Sequence, residues 1–416
     1  MPALNFSGQN LVGNNFSGQN LNGSTFFKAR LENVRFNRNA AGTSTQLRST
    51  NFEEAFLLNV NASNAIFAPN ANFTQPATFS KATLENVNFS GANLTKANLS
   101  LISTKNINLS NANLTDANLR EANLSGEQSN RPNLASANFT GADLFKTKLK
   151  AADLTGGKLV NAKLGEADFE ATLFVNVDAT RAQFDPATKF VDITLRNSTF
   201  NLANLSGVTW SDVTPPPGAT QTRSSFRGAN LTNFKVDDAN LAGANFSPIN
   251  GTATQLTNAI FDDSDLSGAN FTQVSAEDIF LEKANLSGAN FTKADLSGAK
   301  LKGANLSNAD LTGVDLTGAD LSEAILTGAQ LDDALLNGAN LSKANLTGAI
   351  LNDGSDANSQ GANLTSITFV DGIANNANFT NALLVNANLS KANFTGANLT
   401  GADLTGAITT DAIGLT

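Results

Sequence analysis

Residues Ala284–Gly313 read ANLSG ANFTK ADLSG AKLKG ANLSN ADLTG, one five-residue unit written over and over. A large apolar residue forms the centre of each copy: Leu286, Phe291, Leu296, Leu301, Leu306 and Leu311. Ala stands two residues before each centre, Asn or Asp usually one before, Ser or Thr usually one after, and Gly often two after. A period of five fits neither the 3.6-residue turn of a helix nor the plain alternation of a long strand, so neither regular element buries this pattern over many units. A short extended stretch does: Ala and the centre, two apart, point to one side, and the residue between them points to the other. The Ser/Thr-Gly pair then supplies a corner, because Gly accepts positive φ and hydroxyls bond nearby backbone. Strand and corner in alternation wind the chain into a prism whose successive coils satisfy one another's backbone groups.

Working outward, the same phase extends back to Phe226 and Leu231 and forward to Leu351, a series read as continuous. The alphabet suits a dry interior. The chain has 28 Phe, no Tyr and a single Trp, Trp210, itself at a centre. A phenol there would bury a hydroxyl among apolar neighbours. Ala is the small partner that lets each Leu or Phe reach the axis.

These units resemble the pentapeptide-repeat family, and the resemblance covers nearly the whole chain. It implies an all-β fold, a right-handed quadrilateral parallel β-helix with four repeats, about 20 residues, per coil, and no cofactor. It also implies rows of stacked residues. Ser267, Ser287, Ser307, Thr327 and Thr347 would form a hydroxyl column; Asn270, Asn290 and Asp310 a polar one. Lys300 would stand over Asp320, and Asp295 over Asp315, an unfavourable pairing unless a cation lies nearby.

Interruptions divide the chain. Residues 1–210 are expected to form a β-helix broken near 37–46, 68–78 and 185–189, where steps of 11 and six separate centres such as Phe36 and Leu47, Phe67, Phe73 and Phe79, and Phe184 and Phe190. Each six-residue step predicts a bulged corner. Residues 211–225 form a Pro-rich insertion, whose Pro215, Pro216 and Pro217 are stiff, join no ladder and are expected to project. Residues 226–416 read as a regular acidic β-helix with an insertion near 352–361.

The inventory restricts chemistry. Cys and His are absent, which removes thiol and imidazole catalysis, disulfides and the commonest metal ligands. A filled prism also has no cleft in which carboxylates could be tuned. An enzyme, a small-molecule substrate and a cofactor are therefore not expected. No apolar run approaches a membrane span, and frequent Asn-x-Ser/Thr triplets such as Asn93-Leu94-Thr95 fit a bacterial cytoplasm better than a glycosylating pathway. Net charge is −9, and residues 261–416 hold 18 acidic against 6 basic side chains. The one basic concentration, Lys28, Arg30, Arg35, Arg38 and Arg48, lacks interleaved stacking aromatics, so direct nucleic-acid binding is not expected.

What remains is a scaffold or adaptor that binds protein partners, within a homo-oligomer or larger assembly, through faces, loops and uncapped ends. The candidate contacts are outward apolar residues: Ile260 and Phe280, which a 20-residue coil stacks; Phe56 and Leu58, flanking Leu57; Phe145; and Pro215 to Pro217. The alternative is a DNA-mimicking inhibitor or protector of a type II topoisomerase, as the family resemblance and the acidic segment allow. The resemblance also makes a cyanobacterial source the natural expectation.

Overall fold

The computed structural model describes residues 3–219, 222–237, 239–351 and 362–415. Among them there is no helix. The chain separates into two compact units, Met1–Asn204 and Leu205–Thr416. Each is a four-sided parallel β-helix, built from in-register parallel bridges that recur at four positions per coil.

Regular strands are brief. In the first unit β1 (Asn10–Val12), β2 (Arg30–Glu32), β3 (Phe56–Leu58), β4 (Thr83–Glu85) and β5 (Ser103–Lys105) stack in that order along one side. β6 (Leu173–Val175) pairs with β8 (Thr194–Arg196), while β7 (Lys189–Val191) lies between them in the chain. In the second unit β9 (Thr209–Ser211) pairs with β10 (Lys235–Asp237). Everywhere else a side of the prism is one bridge and a corner.

One repeat accounts for all five of its backbone N–H groups. The Ala289 N–H closes the corner on the Leu286 carbonyl (3.0 Å), and Asn290 donates to the coil below at the Ala269 carbonyl (2.9 Å). Phe291 and Lys293 donate to the coil above, at Asp310 (2.7 Å) and Thr312 (2.9 Å). The fifth, Thr292 N–H, goes to the side-chain Oδ1 of Asn290 (2.9 Å). This Asx bond recurs along both units and explains why Asn or Asp fills the outward position. The corner residue two past the centre takes φ near +55° to +65°, as at Lys293, Asn308 and Gly288, so Gly, Asn and Asp are frequent there.

The interior is filled. Phe226, Leu231, Leu286, Phe291, Leu296, Leu301, Leu306 and Leu311 are all buried, as are the Ala residues beside them. Phe rings pile up in register: Phe6, Phe26, Phe52 and Phe79 in the first unit, Phe226, Phe246, Phe271 and Phe291 in the second, with centroids 4.6–5.1 Å apart. Parallel stacking directly along the axis follows from the coil spacing of ~4.8 Å, which fixes ring separation before ring electrostatics acts.

Insertions lengthen individual coils, and the bridges measure them. Asn20 pairs with Gln46 and Asp168 with Lys189, giving coils of 26 and 21 residues. Asn51 pairs with Thr78 in a coil of 27. That coil corrects the expectation of two bulged corners around Phe73. The segment is a single loop, and Phe73 is a half-buried loop residue rather than a core centre. Asn70 organises it, its Oδ1 accepting the N–H groups of Asn72 (3.0 Å) and Phe73 (2.9 Å).

Two further insertions are five residues long and leave the five-residue phase intact. Asn108 pairs with Asn133 and Asn230 with Gln255, each a coil of 25 residues. Their hairpins carry antiparallel bridges, Glu127 to Asn130 and Ile249 to Thr252. The series of centres from Phe226 to Leu351 is therefore broken at Gly251, which lies in a loop where a centre was expected.

A buried Thr marks the return from a loop to the coil. Thr254 donates its hydroxyl to the Phe226 carbonyl (3.3 Å) and accepts the Gly228 N–H (2.8 Å); Thr45 does the same with Phe16 (3.2 Å) and Gly18 (2.9 Å). Each stands where a regular repeat has Ala, and its hydroxyl takes up a corner N–H, of Gly228 or Gly18, on the neighbouring coil. Thr254→Val keeps the shape and removes both bonds, so a loss of about 1–3 kcal/mol in urea unfolding is expected. An unchanged midpoint would show that solvent replaces the hydroxyl.

Candidate interaction surface

Among the described residues no three His, Cys, Asp or Glu side chains cluster as metal ligands would, and no helix is long and apolar enough to cross a membrane. The groups able to meet another molecule are those on faces, corners and loops.

Ile260 and Phe280 are bridge partners on adjacent coils, with Lys235 below Ile260 and Lys300 above Phe280 in the same row. Both are half-buried. Their neighbourhood is acidic: Asp262 accepts the Glu282 N–H (2.7 Å). Burial raises the Asp262 pKa above the ordinary carboxylate value, an effect opposed by that N–H and reinforced by the Glu282 and Asp263 carboxylates. A raised folded-state pKa means the folded protein holds this proton more tightly than the unfolded chain. Stability from this group is present below the ordinary carboxylate pKa and is lost as pH rises through the folded value. Asp262→Asn is thus expected to melt higher than the parent at pH 7, with the difference shrinking as pH falls towards 4. A difference that does not vary with pH would contradict this.

In the first unit the two aromatic candidates, Phe56 and Phe145, are covered by cations. The Arg30 guanidinium lies 4.6 Å from the Phe56 ring centroid and pairs with Glu32 (3.3 Å). Phe145 carries Arg120 at 4.4 Å and Lys146 at 5.1 Å, and Arg120 also reaches Asp143 (3.1 Å). These aromatics act as platforms for cations and are not bare apolar patches. Leu58, half-buried, has Glu32 and Glu85 as its bridge partners. The basic concentration is likewise engaged: Lys28 meets Glu54 (3.5 Å), Arg38 meets Ser44 (3.1 Å) and Arg48 meets Gln46.

The Pro-rich segment is partly buried. Pro215 and Pro216 are half-buried and Pro217 is exposed. A turn closes from the Ala219 N–H to the Pro216 carbonyl (3.0 Å), with Gly218 at φ +82°, a conformation that Gly takes without strain. The insertion near 352–361 lies outside the described residues.

The stacked polar columns are taken up by the Asx bonds. Ser287, Ser307 and Thr347 donate their hydroxyls to Asn285, Asn305 and Asn345 (2.6–2.9 Å). Asp295 and Asp315 do stack, and each accepts corner N–H groups, from Ser297 (3.1 Å) and Thr317 (2.9 Å), so local donors offset their mutual repulsion.

Sequence reasoning missed three surface features. One is a ladder of side-chain amides on a corner of the first unit: Asn59 donates to Asn33 (3.2 Å), Asn86 to Asn59 (2.9 Å), Asn106 to Asn86 (2.9 Å) and Asn130 to Asn106. The recurring Asn two past each centre, at 33, 59, 86 and 106, was the signal. The second is the 126–132 hairpin, tied down by Arg131 on the Ala151 (3.2 Å) and Ala171 (2.6 Å) carbonyls and by Gln128 on Asp192 (3.3 Å). A cavity of about 370 Å³ opens beside it, lined by Thr104, Lys105, Asn106, Ser125, Glu127 and Asn130. The third is a set of exposed apolar residues in the second unit, Ile325, Leu335, Ile350, Ile373, Ile408 and Ile413.

The pattern that defines pentapeptide repeats matches residues 76–101, 105–126, 131–159, the interval 224–353 in overlapping segments, and 375–408. The chain belongs to the pentapeptide-repeat family. Solved structures similar to this pentapeptide-repeat chain include HetL, involved in heterocyst differentiation regulation in the cyanobacterium Nostoc sp., at 29% identity over 54% of this chain and 90% of that one, with a TM-score of 0.33. A pentapeptide repeat protein of the Arabidopsis thaliana thylakoid lumen is 31% identical over 25% of this chain and 72% of its own (TM-score 0.23). QnrB1, a plasmid-mediated fluoroquinolone resistance protein, is 24% identical over 54% of this chain and 88% of its own (TM-score 0.27). No curated protein matches the chain.

Proposed function

We propose that this pentapeptide-repeat protein is a non-catalytic adaptor that binds a protein partner through the face carrying Ile260 and Phe280. One observation carries the reading. At the outward position of the repeat Asn or Asp holds the corner through its side chain, and an apolar residue gives that bond up. Two consecutive coils make this substitution at Ile260 and Phe280, against the local requirement of the fold. The rigid ladder presents the pair in fixed geometry, which lowers the ordering cost of association.

The alternative, a DNA-like acidic surface, gains little from the fold. The acidic segment interleaves Lys283, Lys293, Lys300, Lys302, Lys343 and Lys391 with its carboxylates, which breaks up the continuous negative field that mimicry of a phosphate backbone needs.

The test is affinity capture by the full chain from lysate of the source organism, beside an Ile260→Asn/Phe280→Asn variant that restores the usual outward residue. The expected result is a stoichiometric protein retained by the parent and lost by the variant. Equal retention by both, or capture of nothing by the parent, would overturn the proposal.

A further inference from the structure

The row that runs from Asn285 through Ile325 and Ile373 to Ile413 belongs to a different face of the second unit. From Asn305 onward it alternates strictly: Asn305, Ile325, Asn345, Ile373, Asn393, Ile413, each the bridge partner of the next. Ile325, Ile373 and Ile413 are 42%, 38% and 55% exposed, so every second coil presents an isoleucine. The corner on one side of this face is uncharged, with Thr327-Gly328, Thr347-Gly348, Asn375-Asn376 and Thr395-Gly396 on successive coils.

The corner on the other side also alternates, in charge. Its exposed residues are Glu323, Lys343, Asp371, Lys391 and Asp411 on successive coils. Among the described residues none of the five forms an ion pair within its own chain, although opposite charges stand on neighbouring coils.

We propose that this face is the site of symmetric self-association, in which a second copy packs antiparallel against it about a two-fold axis between the coils of Asn345 and Ile373. Such an axis, lying in the interface and across the coils, brings each edge against itself in reverse order. Both alternations then resolve together. Ile325 faces Asn393 of the second copy, Asn345 faces Ile373, and Asn305 faces Ile413, so each isoleucine meets a shorter side chain. On the charged edge Glu323 faces Lys391, and Lys343 faces Asp371. An axis passing through a coil instead of between coils would set isoleucine on isoleucine and like charge on like charge. The alternation thus admits only axes between coils, and the one between Asn345 and Ile373 overlaps the longest stretch of the alternating row. Carboxylates elsewhere on an acidic segment oppose close approach of two copies, and this uncharged face with a self-complementary edge does not.

The facing rows span six coils, about 24 Å at ~4.8 Å per coil, a small interface of the transient class. Self-association is independent of the heterologous contact proposed above, since it uses another face and another partner. It is tested on the full chain by sedimentation equilibrium at low salt across a wide concentration range. The expected result is a mass rising reversibly from the monomer value of 43.2 kDa towards twice that, with association weakened by added salt. Glu323→Lys or Lys391→Glu alone should weaken association by about fivefold. The double swap should restore it, and these residues are three coils apart within one chain, too far to pair with each other there. Ile373→Asn, which restores the usual outward residue, should abolish association without lowering the melting temperature. A parent that stays monomeric throughout, a double swap that fails to restore association, or an Ile373→Asn variant that associates as the parent does would each overturn the proposal.

Discussion

Phe271→Ala is expected to destabilise the second unit by about 3–5 kcal/mol, the range for emptying a large aromatic site in a packed core. Its ring is stacked between Phe246 (4.6 Å) and Phe291 (4.7 Å), with interplanar angles of 4° and 2°. Both neighbours are anchored by ladder hydrogen bonds, Phe246 N–H to the Asn270 carbonyl and Phe291 N–H to the Asp310 carbonyl (2.7 Å each), so neither can tilt far into the vacated space. The next centre in the chain, Ala276, is already small and buried, so it cannot fill the gap. Because each coil touches only its neighbours, the damage should be local. Amide exchange should accelerate most between the coils of Phe246 and Phe291 and least around Leu384 and Leu389. A uniform loss of protection throughout the unit would mean that it unfolds as one cooperative block.

Asn290→Pro should be comparably severe for a different reason. Asn290 donates its N–H to Ala269 (2.9 Å), and its Oδ1 accepts the N–H and hydroxyl of Thr292 (2.9 and 2.7 Å). Proline removes the ladder donor and the side-chain bonds, including that from the Thr272 hydroxyl (3.1 Å), and it forces a ring into a site closed by coils on either side. A loss of about 3 kcal/mol or more is expected. Asn290→Ala keeps the ladder and loses only the side-chain bonds, so about 0.5–1.5 kcal/mol should go. Urea unfolding of the two variants separates the contributions: similar losses for both would show that the side chain, not the ladder, holds the coil.

The architecture was legible because the repeat is both local and exhaustive. Ala and the centre two residues later prescribe the inward pair, and the absence of Tyr reports how dry the interior is. The role of the outward Asn was not legible, because its side chain turns back to a corner N–H that only the folded geometry brings within reach. Loops were found where they shifted the five-residue phase, as after Phe36 and Phe184. They were missed where five residues were inserted, at 126–132 and 247–253, since phase carries no information about a whole extra unit. Phe73 misled for the opposite reason: a Phe six residues from each neighbouring centre looked like core, yet the loop it occupies adds seven residues at once.

The surface was harder to read than the core. Stacking of Ile260 on Phe280 followed from the coil length, but the arginines over Phe56 and Phe145 come from coils 26 and 25 residues apart, not 20. Arg120 and Phe145 share a corner only because the hairpin at 126–132 intervenes. The self-complementary edge of Glu323, Lys343, Asp371, Lys391 and Asp411 likewise spans the insertion near 352–361, which hides its alternation in the linear sequence.

Every surface assignment therefore depends on which residues the coils place side by side, and a chain without cysteine allows this to be measured directly. Two double-cysteine variants suffice: Asn230→Cys with Gln255→Cys, partners across the lengthened coil, and Asn230→Cys with Asn250→Cys, which a uniform 20-residue coil would stack. Ladder partners ~4.8 Å apart fall within the Cα separation that a disulfide spans. On mild oxidation the first variant should close an intrachain disulfide rapidly and the second should remain reduced. Rapid closure of the second variant, with the first left reduced, would contradict the register on which the faces rest.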